Sequence, residues 1–446
     1  MKVLFTILSI ILLSNITHAQ KYKAYYADGT LKEIGRYKKE KPVGKWRFYH
    51  ENGELLAEGK YKDSLKEGEW NYYHDSGELM ETGLFVAGKK EGEWIAYFDN
   101  GNVMSKGLFK EGLETGTWEY FFRLGNLQSH GNFIRGVQSG IWNYYYENGQ
   151  IEKTGSWKND QNDGLWKFYF EDGTLKRTGS WDEGVQTGVW SYYNALGNIE
   201  ERGEWRDGKA VGLWEYYFPS GKLKETGRWQ NDEQIGEWAY YYENGNVKMK
   251  GEWKDGFNVG IWTYYHENGN ISKKGKRANG FPVGKWTYFF LNGNIKEEGN
   301  FDEEGNEKGT WKIYHENGKL AKEGEWVEGK QHGRWKYYSE EGKLKEEGFW
   351  NEGVQDDVWL YYGEDGKLIT QGNWNEGVQT GEWMYYYENG KLKEHGFWKD
   401  GVQHGNWLYY HKNGKKQQEG EFRDGDPVGE WKDYDLRGKY ERSRYY

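Results

Sequence analysis

The tripeptide Gly-x-Trp returns every 24 residues along this chain, and a period of that length dictates a stacked-repeat architecture before any other property is considered. Its tryptophans are Trp46, Trp70, Trp94, Trp118, Trp142, Trp166, Trp190, Trp214, Trp238, Trp262 and Trp286. One residue is inserted near Asp302 to Gly305, and the series resumes at Trp311, Trp335, Trp359, Trp383, Trp407 and Trp431. A further copy starts at Tyr22, with tyrosine in place of the indole, so eighteen units cover nearly all of the chain.

Positions are counted from this lead aromatic as zero. Position +3 is Tyr or Phe and +7 is Gly in all eighteen units. Position +9 is aliphatic in sixteen, Lys416 and Tyr440 being the exceptions. Position +13 is Gly in seventeen, and +15 is aromatic in seventeen, with Arg277 alone departing. Position −2 is Gly in sixteen of the seventeen units that have one, Asp357 being the exception.

Asn-Gly stands at +6 and +7 in nine units, and Asp-Gly or Ser-Gly in five more. These pairs suit the central positions of a type I′ turn, where φ is positive. Strand-forming Trp, Tyr and Phe flank them, and no 3.6-residue period is visible, so each unit reads as a β-hairpin. In that register paired positions sum to thirteen: +5 faces +8, +4 faces +9, zero faces the glycine at +13, and +15 faces the glycine at −2. Each bulky ring then meets a bare backbone and can lie across it. Side-chain alternation puts zero, +2 and +4 on one face with +9, +13 and +15, and the tyrosine at +3 on the other, beside +10. Short linkers such as Lys399 to Gly405 join the hairpins. The expected fold is all-β: a single-layer antiparallel meander of about eighteen hairpins, roughly 170 Å long at ~9.6 Å per unit. Residues 22–43 and 431–446 are expected to cap its ends.

Composition excludes several alternatives. Aromatic residues make up 19% of the 446, which a disordered chain would not carry, and 65 glycines serve a repeated geometry. The net charge of −10 is spread over interleaved acids and lysines, which disfavours nucleic acid and anionic lipid as partners. With no cysteine, thiol chemistry, disulfides and cysteine-ligated metal are excluded. Residues 1–19 have the layout of a secretory signal: Lys2, the apolar run Val3 to Leu13, and Thr17 and Ala19 before a cut after Ala19. Residues 20–446 are then one exported repeat array, in the periplasm, on the outer surface or secreted, with no second apolar run to span a membrane.

The pattern at Gly140 to Trp157 and Gly381 to Trp398, Gly-x-Trp-x-Tyr-Tyr-x-x-Asn-Gly and onward to the next Gly-x-Trp, resembles the bacterial variant of the MORN repeat. The resemblance covers about Lys21 to Tyr440. It implies β-hairpins stacked into elongated sheets and a role in protein–protein scaffolding. Bacterial proteins of this kind are often labelled antitoxin components, a label that sits poorly with a secretory leader.

No motif points to catalysis. His50, His74, His266, His315 and His411 all occupy +4, where other units have Tyr or Phe, and read as aromatic substitutes rather than metal ligands. The glutamates at +5, such as Glu51, Glu147 and Glu388, are repetitive and lie near turns, unlike the single carboxylate pair of a glycosidase. No cofactor is implied. The seventeen lead tryptophans are the candidate functional residues, as packing elements between hairpins or as an exposed ladder. Two uses follow: a scaffold binding a protein partner or a second copy, or a ladder on which sugar rings of a glycan or cell wall stack.

Overall fold

The computed structural model describes residues 19–446; the expected leader falls, but for Ala19, outside the described residues. Thirty-six β-strands follow one another with no helix among the described residues. Each repeat contributes a leading strand, such as Leu65–Tyr73, and a return strand, such as Leu79–Val86. The chain divides into two compact units: one reaches to Gly212 and includes Pro219–Gly221, the other comprises Leu213–Phe218 and Lys222–Tyr446. In the first, every strand from Gln20–Tyr25 to Ile199–Arg206 pairs antiparallel with the next. In the second, the same holds from Leu223–Gln230 to Tyr440–Tyr445.

The expected register holds where the rings are. Trp70 pairs with Gly83 and Gly68 with Phe85, the zero/+13 and −2/+15 pairs. It fails near the turn. Tyr73 pairs with Leu79, a +3/+9 pair, because the register shifts between Tyr72 and Tyr73. The cause is the kind of turn. The Gly53 N–H donates to the His50 carbonyl and the His50 N–H to the Glu54 carbonyl, which closes a loop of three residues rather than two. Only Gly53 takes positive φ, at 90°, so this is a type I turn ended by a left-handed glycine. The aliphatic at +9 therefore joins +3 on the face away from the indoles, as Ile295 and Phe289 do in lining one shallow depression.

The type I′ turns lie in the linkers. Asp400 and Gly401 have φ of 49° and 80-odd degrees, at 82°, and their flanks Lys399 and Val402 pair directly. Even Lys39 and Glu40 adopt positive φ there, at 51° and 61°. Where the extra residue enters, the turn becomes a longer loop. The Asp302 carboxylate accepts the N–H groups of Glu304 and Asn306, and Trp286–Gly299 and Trp311–Gly324 pair as in other repeats on either side of it.

Candidate functional site

All seventeen lead tryptophans are buried, between 0 and 6% exposed. Pairing puts them beside the glycine of their own hairpin, as Trp166 beside Gly179, except Trp431, which pairs with Arg444; yet the indole leans the other way. Trp190 covers Gly179 of the preceding repeat, where an added Cβ would stand 2.1 Å from the indole Cδ2. Trp166 likewise covers Gly155, although its in-register partner is Gly179. The glycine at +13 thus makes room for the next repeat's ring, and the contact joins neighbouring hairpins. The indole N–H reaches the same strand: Trp190 Nε1 donates to the Ser180 carbonyl at 3.1 Å.

The glycine at −2 has a different basis. Gly188 has φ of +66°, and nothing lies within 4 Å of where its Cβ would be. It sits in a bulge where the register slips between Thr178 and Ser180, and the backbone rather than a ring demands it. Asp357, the one departure, adopts the same region at φ 53°.

Rings continue the ladder on both sides of each indole. Tyr120 and Tyr144, at +2 of successive repeats, stack on Trp142 at 6.2 and 6.0 Å, while Phe133 meets it edge-on at 5.3 Å. Burial pushes the hydroxyls of Tyr120, Tyr288, Tyr361 and Tyr409 up to about 12. Three tryptophans at +15 find the +2 hydroxyl of their own repeat: Trp157 with Tyr144 at 3.1 Å, Trp253 with Tyr240 at 3.2 Å and Trp350 with Tyr337 at 3.1 Å. The buried Nε1 of Trp181 has no partner, and the +2 residue of its repeat is Phe168; Trp374 and Trp398 lack one as well, although Tyr361 and Tyr385 stand at +2.

The turn edge carries a second ladder, of side-chain hydrogen bonds, that the sequence reading did not anticipate. Where +4 is Tyr or His it donates to the +3 carbonyl of the next repeat: Tyr146 Oη to Tyr169 at 2.7 Å, His50 Nε2 to Tyr73 at 3.1 Å, His411 Nε2 to Tyr434 at 3.0 Å. The histidines are thus equivalent to Tyr as donors. Asparagine at +6 bridges twice: Asn148 Oδ1 accepts the Gln150 N–H, and its Nδ2 donates to the Glu171 carbonyl. The signal available in sequence was the interchange of Tyr and His at +4, which share a ring-borne donor, although Phe98 and Phe122 at the same position carry none.

The opposite face, bearing −1, +1, +3, +12 and +14, is not covered by the indoles. Ile141, Leu165 and Val189, at −1 of three successive repeats, are 63, 56 and 63% exposed. Among the described residues no group of three or more His, Asp or Glu side chains is placed to hold a metal. No helix among them is long and apolar enough to cross a membrane.

The profile of a family described as "MORN repeat variant" matches fourteen segments: residues 21–39, 42–63, 66–87, 90–111, 138–159, 162–183, 210–231, 234–255, 258–279, 282–303, 307–328, 331–352, 379–400 and 403–424. The units led by Trp118, Trp190, Trp359 and Trp431 lie outside those segments. Three of them nonetheless keep the zero/+13 pairing, as Trp118–Gly131, Trp190–Gly203 and Trp359–Gly372. A comparison with curated proteins finds no match. Among solved structures, a TcdB2-TccC3-Cdc42 crystal structure aligns at 12% identity over 96% of this chain and 27% of that one, with a TM-score of 0.15. The Photorhabdus luminescens Tc holotoxin pore aligns at 12% identity over 95% and 26%, with a TM-score of 0.14. The chain spans about a quarter of their length.

Proposed function

The chain belongs to the MORN repeat variant family, and on that premise we propose that it is a non-enzymatic, exported scaffold that binds protein partners. The observation that carries the reading is the division of labour between the two faces. The indoles are taken up in joining repeats, so the broad surface left for recognition is the other face, with its stripe of Ile141, Leu165 and Val189. Exposed aliphatics at one regular spacing suit a protein surface better than a sugar, which would call for open aromatic rings. Export rests on Lys2, the run Val3 to Leu13 and the small residues Thr17 and Ala19.

The test is affinity purification of the full chain from the envelope fraction after cross-linking, with N-terminal sequencing of the recovered protein. The expected result is a chain beginning at Gln20 with a specific protein partner or a second copy. A clean monomer without a protein partner, or retention on polysaccharide that Ile141→Asp and Leu165→Asp leave untouched, would overturn the binding reading. Recovery from the cytoplasm with Met1 intact would overturn export.

A further inference from the structure

On the indole face, one row runs across the first unit through the +2 and +11 positions: Tyr120, Ser129, Tyr144, Lys153, Phe168, Arg177. The rings alternate with the +11 side chains, and three basic residues at +11 lie on a ring, whereas Arg442, opposite Asp433, bonds to that carboxylate. Lys153 Nζ is 4.5 Å from the Tyr144 ring centroid, and the Arg177 guanidinium carbon is 4.2 Å from that of Phe168. Lys273 repeats the arrangement on Tyr264 at 4.6 Å in the second unit. At Lys153, Arg177 and Lys273 the chain's own cation fills the slot between neighbouring +2 rings, while Glu81, Glu201 and Glu225 are among the acids that stand there in other repeats.

At Ser129 the slot is left unfilled by the chain. Ser129 is short and buried, with Tyr120 on one side and Tyr144 on the other. Ala57 is equally short, but there Lys66 of the next strand covers the Tyr72 ring at 5.0 Å and donates to its hydroxyl at 2.6 Å. The residue corresponding to Lys66 beside Ser129 is the neutral Gln138. Ser105 is also short, but Ala96 replaces one of its flanking rings. Thr370, between Tyr361 and Tyr385 with Gln379 beside it, is the place similar to Ser129 in the second unit. Ser129 thus combines two rings and a short floor with neutral Gln138 beside it, Lys153 lying on Tyr144 from the following strand. The result is a cavity of about 790 Å³ whose rim carries Glu147, Glu152 and Glu171, with no Lys or Arg among the described residues lining it.

We infer that the slot over Ser129, between Tyr120 and Tyr144, binds a lysine or arginine side chain presented by a protein partner. Two strands further on is ~9.6 Å, so a cation midway would lie ~4.8 Å from each row of rings, within the range of a cation–π contact. Three carboxylates at the rim supply the charge that a basic side chain needs when it leaves water. The inference goes beyond the scaffold reading by adding a contact on the indole face to the surface proposed on the other, and rests on that reading for the partner being a protein.

The test titrates the full chain with Nα-acetyl-arginine amide and Nα-acetyl-lysine amide, with Nα-acetyl-norleucine amide and glucose as controls, by ligand-observed NMR. Saturable binding of the cations, at least tenfold tighter than norleucine, is expected. Ser129→Lys places in the slot the residue that Lys153 and Lys273 already supply elsewhere, and it should lower that affinity at least tenfold with the fold intact by circular dichroism. Tyr120→Leu gives the same loss by removing one wall and serves if the lysine variant does not fold. Equal binding of norleucine, preferential binding of glucose, unchanged affinity in both variants, or no saturable binding by any probe would overturn the inference. Envelope capture separates the two readings. A partner retained by Ser129→Lys after arginine binding is lost leaves the scaffold standing without this contact, whereas no partner with the wild-type chain refutes the scaffold itself.

Discussion

Gly179 and Gly188 stand nine residues apart on neighbouring strands, and each recurs through nearly every repeat, yet they are glycine for unrelated reasons. Gly179 has an indole where its Cβ would be, 2.1 Å from Trp190, and its backbone is ordinary strand. Gly188 has open space at that place and φ of +66°. One row records what lies above it, and the other records the shape of its own backbone. Periodicity alone makes the two rows look alike, so substitutions are what separate them.

The largest effect falls on the covered row. Gly179→Ala forces a wholly buried ring out of place, and overpacking of this kind costs about 1–3 kcal/mol, with loss of the cavity-free contact pushing it toward the upper end. Chemical denaturation of the two variants should rank it above Gly188→Ala, for which the strain of a left-handed alanine is about 1–2 kcal/mol. The second row has a further signature that the first lacks. Gly188→Asn should recover much of the loss, since asparagine tolerates positive φ and Asp357 occupies the equivalent place naturally. Gly179→Asn should be worse than Gly179→Ala. Equal behaviour of the two rows would break the distinction.

The covered side also has a pH signature. Tyr120, Tyr288, Tyr361 and Tyr409 are held up to about 12 by burial, above the ordinary value of 10.0. Their neutral form is favoured by the fold, so the stability they contribute is intact below pH 10. As pH rises from 10 to 12 the unfolded chain ionises first, and that stability is lost progressively. Thermal midpoints should fall across this window, and Tyr120→Phe should shallow the decline. The smallest effect concerns Trp181, whose buried Nε1 has no acceptor and whose repeat carries Phe168, without a hydroxyl, at +2. Phe168→Tyr supplies the acceptor that Tyr144 gives Trp157, and should stabilise by about 0.5–1.5 kcal/mol in the same denaturation assay.

Much of this was legible from the period. The pairing of Trp70 with Gly83 and of Gly68 with Phe85 follows from hairpin arithmetic. What the arithmetic could not show is which way a ring leans once paired, since a strand has a neighbour on each side and Trp166 is adjacent to both Gly155 and Gly179. The turns were read in exchange. Asn52-Gly53 satisfies a two-residue or a three-residue loop, and only the hydrogen bonds of His50 decide between them. The linker pair Lys39-Glu40 carries no residue that favours positive φ, yet it forms the tighter turn because the flanking strands require it. The slot at Ser129 was hidden for a related reason. Its signal, a short residue between two tyrosines, appears only when +11 is known to sit between the +2 positions of two repeats, and those positions are far apart in the sequence.

The central claim is that each indole couples its repeat to the one before it. A pair of double-mutant cycles tests this directly, one combining Trp166→Ala with Gly155→Ala and the other combining Trp166→Ala with Gly179→Ala. The account predicts strong coupling in the first cycle, Gly155→Ala being harmful in the wild-type chain and close to neutral once the Trp166 ring is gone, and near-additivity in the second. Coupling confined to Gly179, the glycine within the same hairpin, would contradict it.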